Sequence, residues 1–185
     1  MKKIFSLLAA SLCSISLLFS QSPTIEWQKT IGGIGSDVLN SLQQTADGGY
    51  ILGGNSNSDT SGDKTENSWG GRDYWVVKLD ATGAVQWQNT IGGSSTETLN
   101  SLQQTADGGY ILGGTSRSTV SGDKTENSRG GDDYWVLKLG ATGAIQWQRT
   151  IGGGLSPDPP SLPQTRGGGY IFGGRFRSGT SGGKN

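Results

Sequence analysis

Apolar and polar residues alternate at period two along this chain, in short blocks separated by glycine-bearing turns. In the block 73–79 (DYWVVKL), Trp75, Val77 and Leu79 fall on one face and Tyr74, Val76 and Lys78 on the other. Side chains two apart share a face only in extended backbone, so the block predicts a strand. Val85, Trp87 and Ile91 alternate in the same way with Gln86, Gln88 and Thr90. The intervening 80–83 (DATG) has the composition of a tight hairpin turn, with a glycine free to take positive φ. Upstream, 46–49 (ADGG) carries a second hairpin signal between two further apolar runs. Four strands are predicted, at 38–45, 49–55, 73–79 and 84–91.

The same pattern then starts again. Residues 27–86 align without a gap on 87–146, with 45 of the 60 positions identical, and a third copy begins at Trp147. Copies this alike point to recent duplication, so identity between them does not by itself mark functional positions. Four antiparallel strands per repeat, with paired glycines at Gly53-Gly54 and Gly113-Gly114 where neighbours must come close, predict an all-β fold of β-propeller-like blades. A β-solenoid is the alternative, although its coils are usually shorter than 60 residues and contain no pair of hairpins. The third copy, 154–185, is degenerate: Pro157, Pro159, Pro160 and Pro163 stand where its first strand would form, and proline cannot donate to a ladder. About two and a half blades fall short of the roughly four that close a propeller. The expectation is a fragment of a longer protein, or a ring completed by further blades of the same or another chain.

Ahead of the repeats, Lys2 and Lys3 precede an apolar run from Ile4 to Phe19, and polar residues follow Ser20. This is the order of a secretory signal peptide, expected over 1–20. Ser6, Ser11, Ser14 and Ser16 interrupt the run, which disfavours a membrane anchor, since spanning a bilayer takes roughly twenty strongly apolar residues. Cys13, the only cysteine, lies inside it, so the exported chain is expected to have neither disulfide nor thiol. Fifteen basic residues balance fifteen acidic ones with no run of either sign, which argues against a nucleic-acid partner. The chain has no histidine, which removes the commonest general base and the usual zinc sites.

The segments TIGG, QTADGGYILGG, SGDKTENS and DYWV-x-KL-x-ATGA-x-QW resemble the propeller-type repeats of secreted proteins from gram-negative bacteria that use the type IX secretion system. The likeness covers 27–153 and says nothing of a ligand. It implies a cell-surface or secreted destination, and in that family a C-terminal sorting domain usually follows the repeats.

Candidate chemistry concentrates in the long polar loop between the second and third strands. Asp63, Glu66, Asn67 and Asp73 recur as Asp123, Glu126, Asn127 and Asp133, hard oxygen donors of the kind calcium takes. Their spacing is not that of an EF-hand, and the competing reading is a solvated loop whose Asp and Asn side chains cap turns. Trp69 lies in this loop opposite Arg129 of the next copy, and is the candidate exposed aromatic for ligand binding. Trp27, Trp87, Trp147, Tyr74 and Tyr134 are candidates for a sugar-stacking platform, weighed against core packing; Trp75 and Trp135 are expected in the core. Pairing Asp63 with Asp73 as glycosidase carboxylates would give every blade its own active site, an unusual arrangement. The expected function is therefore a non-enzymatic exported module that binds an extracellular glycan or protein in surface adhesion. The alternatives are a non-catalytic part of a secreted glycan-degrading enzyme and a structural spacer.

Overall fold

The computed structural model describes residues 24–152 together with 164, 165, 168–171 and 173. The expected signal peptide and the four prolines of the third copy lie outside the described residues. Eight strands run in chain order: β1 (Asp37–Gln44), β2 (Tyr50–Ser56), β3 (Asp73–Leu79), β4 (Val85–Ile91), β5 (Glu97–Gln104), β6 (Tyr110–Ser116), β7 (Asp133–Leu139) and β8 (Ile145–Ile151). They form two antiparallel four-stranded sheets, ordered β1-β2-β3-β4 and β5-β6-β7-β8. The described residues contain no helix. The all-β class and the period-two strands are as the sequence predicts, and the two sheets do not close on each other.

Both hairpin turns use glycine where the backbone requires it. Gly48 and Gly83 sit at φ of +81° and +83°, which a side chain would resist. Asp80 Oδ1 accepts from the amides of Thr82 and Ala84 at 2.8 and 2.9 Å, closing the second turn. Pairing of β1 with β2 slips between Leu39 and Ser41, leaving Asn40 bulged out of the ladder. Its side-chain amide Nδ2 donates to Leu99 O in β5 at 2.7 Å, so the irregularity of one sheet serves contact with the next.

The sheets meet face to face. Ile51, Tyr74, Val76 and Ile91 of the first pack against Leu99, Leu102, Leu112 and Trp135 of the second in one buried cluster. Gly53 makes the approach possible, because a Cβ there would lie only 2.7 Å from Leu99 Cδ2 and 2.8 Å from Leu102 Cδ1. Polar links add register: Asn55 Oδ1 accepts from Leu99 N at 2.6 Å, and Tyr74 donates its hydroxyl proton to Trp135 O at 3.2 Å.

β3 and β7 are buried along their whole length on both faces. This corrects the reading of Tyr74 and Tyr134 as a sugar-stacking surface: both are fully enclosed. Trp75 and Trp135 are in the core as expected. Lys78 tolerates burial because its ammonium ends at Asp47 Oδ2, 2.9 Å away, and at Leu79 O. Three of the other tryptophans make ring contacts with tyrosines, Trp27 on Tyr50 and Trp87 on Tyr110 edge to face and Trp147 on Tyr170 tilted, with ring centroids 5.5 to 5.8 Å apart. The Trp87–Tyr110 contact joins β4 of the first sheet to β6 of the second. At the third copy, Gln164 pairs with Tyr170, and Gly168 at φ +81° repeats the first hairpin turn.

Candidate functional site

The long loop from 57 to 72 leaves the end of β2 and returns to β3 through a tight turn, in which Ser61 and Lys64 exchange backbone hydrogen bonds. A turn of this kind offers many amides and few apolar contacts, so its side chains must satisfy backbone groups. The four recurring oxygen donors do this, each toward a different place. Asp63 Oδ2 accepts from Gly32 N at 3.1 Å, while Asp63 N donates back to Gly32 O at 2.9 Å. Glu66 accepts from Thr90 N in β4. Asn67 Oδ1 accepts from the amide and hydroxyl of Thr60 at 3.0 and 2.9 Å. Asp73 Oδ2 accepts from Trp69 N at 2.6 Å.

The second repeat reproduces the scheme. Asp123 serves Gly92, Glu126 serves Thr150 and Arg149, Asn127 serves Val120, and Asp133 serves the amide of Arg129. These residues are brought to the same loop without converging on a common point. Among the described residues, no three acidic, cysteine or histidine side chains form a group that could hold a metal ion. Asp63 and Asp73, the pair considered for glycoside chemistry, likewise face separate amides.

Where the two repeats meet, the first long loop borders a groove of about 790 Å3, lined by Glu66, Asn67, Trp69, Asn89 and Asp123, with Ile145 on the far wall. Trp69 is 55% exposed within it. Its orientation is held from two sides. One indole face lies over Gly122, where a Cβ would come within 3.1 Å of the ring. The indole also lies beside the carboxylate of Asp123. Burial holds Asp123 above the usual carboxylate range, while its bonds to Gly92 N and Trp69 oppose that shift. The exposed part of the indole borders the groove together with Asn67 and Asn89. Asn89 also donates to Gly143 O at 2.7 Å, fixing the far lip.

A second constellation, of which only Asp73 is among the sequence candidates, lies buried between the sheets. Asp73 and Glu97 are both fully enclosed. Glu97 accepts three hydrogen bonds, from the hydroxyls of Ser116 and Ser118 at 2.7 Å and from Gly93 N at 2.9 Å. Asp73 Oδ2 is occupied by Trp69 N, yet no N–H or O–H donor reaches Asp73 Oδ1. Burial, and then the adjacent Glu97, raise Asp73 to about 7. Burial beside a second carboxyl, with one oxygen left without a donor, favours the protonated form of Asp73. Lys64, fully buried nearby, is lowered from its ordinary value by desolvation, against the attraction of Asp73 and Glu66.

Glu97 escaped notice in the sequence because it lies in the next sheet. Its position varies as Asp37, Glu97 and Pro157 across the copies, and that variation inside a near-identical frame was the available signal. Compared with protein-family models and with curated proteins, the chain matches none.

Proposed function

We propose that this chain is an exported, non-enzymatic repeat module that holds an extracellular glycan in the groove between its two repeats, with Trp69 as the stacking platform. The carrying observation is the half-exposed indole that borders the groove, seated on Gly122 and beside the Asp123 carboxylate. An aromatic fixed in advance loses little freedom on binding, and sugar rings present apolar faces that stack on such a surface while their hydroxyls meet amides at the edge. Asn67 and Asn89 supply that edge. Face-to-face sheets of four meandering strands suit successive blades of a propeller, and the leader-like first twenty residues suit export to the cell surface, where a type IX-like repeat protein would act in adhesion. The non-enzymatic reading rests on the lack of histidine and on loop carboxylates already engaged by backbone amides.

The test is calorimetric titration of a panel of neutral polysaccharides and oligosaccharides. Trp69→Ala is expected to weaken binding at least tenfold with no change in thermal midpoint, since the side chain is more than half exposed. Binding by the variant at the original affinity would overturn the assignment of the groove. A wild-type chain that binds none of the panel would leave a spacer as the better description.

A further inference from the structure

The two repeats differ in charge where the first borders the groove. In the second repeat Glu126 Oε1 lies 3.0 Å from Arg149 Nη1 in an ion pair. The corresponding glutamate of the first repeat, Glu66, lines the groove, and Asn89 stands where Arg149 does. Trp69 likewise stands where the second repeat has Arg129. Two guanidinium positions of one copy are thus an amide and an indole in the other. Both glutamates meanwhile keep the same backbone bond, Glu66 from Thr90 N and Glu126 from Thr150 N.

No lysine or arginine lines the groove, and among the described residues neither Glu66 nor Asp123 forms an ion pair. Lys64 feels the charge of Glu66, but it is enclosed and its ammonium is turned to Glu66 O. Lys124 feels Glu126 in the same way, so the lysines do not account for the difference between the copies. Asp123 adds a second acid from the other repeat. Burial foremost, and the charge of Glu66 in addition, raise it above the usual carboxylate range, so two carboxylates lining one groove oppose each other's ionisation. Thr90 is an independent sign. It lines the same groove at 7% exposure and its hydroxyl has no partner, whereas the Thr150 hydroxyl accepts from the Lys124 ammonium. An enclosed hydroxyl left unmatched beside a carboxylate is an acceptor for which the chain supplies no donor.

On the reading of this groove as a glycan site, on which the assignment rests, we infer that its ligand is a saccharide bearing free amino groups, with an ammonium between Glu66 and Asp123 and beside the Trp69 indole. An ammonium brings the opposite charge that both carboxylates lack, donates up to three hydrogen bonds, and is attracted to an indole face. A uronate or a sulfated sugar meets the same two carboxylates as a like charge. A neutral sugar keeps the stacking and gains nothing from the acids.

Calorimetric titration in near-neutral buffer of low ionic strength compares a β-1,4-linked glucosamine oligomer, its fully N-acetylated counterpart and a glucose oligomer of the same linkage and length. The amine form is expected to bind about tenfold tighter than the other two, a margin that shrinks as salt is added. Glu66→Gln removes the charge and retains an acceptor for Thr90 N, and Asn89→Arg offers Glu66 the guanidinium that Glu126 has. Each is expected to abolish the margin between the amine and acetylated forms. Equal affinity of the wild type for all three oligomers, or a margin that persists in both variants, overturns the amine assignment and leaves the glycan reading standing. A wild type that binds none of the three overturns both. Spermidine bound as tightly as the amine oligomer, and released by Glu66→Gln, shows a cation site in which the sugar has no part and overturns the glycan reading.

Discussion

Residues 39–42 and 99–102 are both LNSL, in strands of equal length with the same bulge, yet one pair of leucines lies open and the other is enclosed. The local backbone does not distinguish them. What differs is the neighbour: Leu99 and Leu102 have the Gly53 face against them, and among the described residues no equivalent sheet lies against Leu39 and Leu42. A repeat's pattern determines its strands and the direction of its side chains, whereas burial belongs to the junction between repeats. Stability in such an array is then carried largely by its interfaces.

The sharpest way to break this comparison is to truncate both members. Leu102→Ala is expected to destabilise by about 2–5 kcal/mol, the range for emptying a packed site. Leu42→Ala should change stability by no more than about 0.5 kcal/mol at concentrations where the chain is monomeric. Urea unfolding of the two variants measures both, and equal losses would mean that the first face is covered in solution.

A proton offers a second handle on the same junction. Folded Asp73 is raised to about 7, whereas the unfolded carboxyl titrates near its ordinary value, so between about pH 4 and 7 unfolding releases a proton. Stability is expected to fall as pH rises through that window and to level off above it. Asp73→Asn keeps an acceptor for Trp69 N and presents a permanent donor to Glu97, so it should flatten this part of the profile and be the more stable chain at pH 8. A profile that keeps its slope in the variant would place the proton elsewhere.

The smallest expected effect separates junction from surface. Asp107 is lowered to about 2 by the Thr105 hydroxyl first and by Lys138 next, so its contribution is present above about pH 4 and is lost as pH falls toward 2. Asp107→Asn should remove only this acid-side loss and leave the Asp73 window untouched, as thermal melts across pH would show.

Much of the fold was legible because period-two alternation and positive-φ glycines are local signals. Strands β3 and β4 were placed to within a residue by Trp75, Val77 and Leu79 and by the turn at Gly83. Burial of Tyr74 and Lys78 on the second face was not legible, since a polar-tipped residue reads as outward until a neighbouring sheet or an Asp47 is placed at its tip. Trp69 could be found because the next copy substitutes Arg129 in an otherwise repeated loop. Gly122 and Asp123, which lie against it, are the same in the first two copies and act across the junction, so Asp123 read as an oxygen donor of its own loop and nothing in a single repeat tied either residue to Trp69. The oxygen donors from Asp63 to Asp73 are close in sequence, but the loop turns each toward a different amide.

The reach of Asp63 back to Gly32 and of Asp123 back to Gly92 spans the same 31 positions in both repeats, and Gln43 to Gln104 and Gln103 to Gln164 both span 61. Bonds that count residues in this way act as a ruler. Insertion of one residue between paired positions would misalign a junction's carboxylate–amide and glutamine links, whereas gain or loss of a whole 60-residue unit preserves every one of them. The gapless alignment of the copies follows from this: the array is free to change in number of units and constrained in their length.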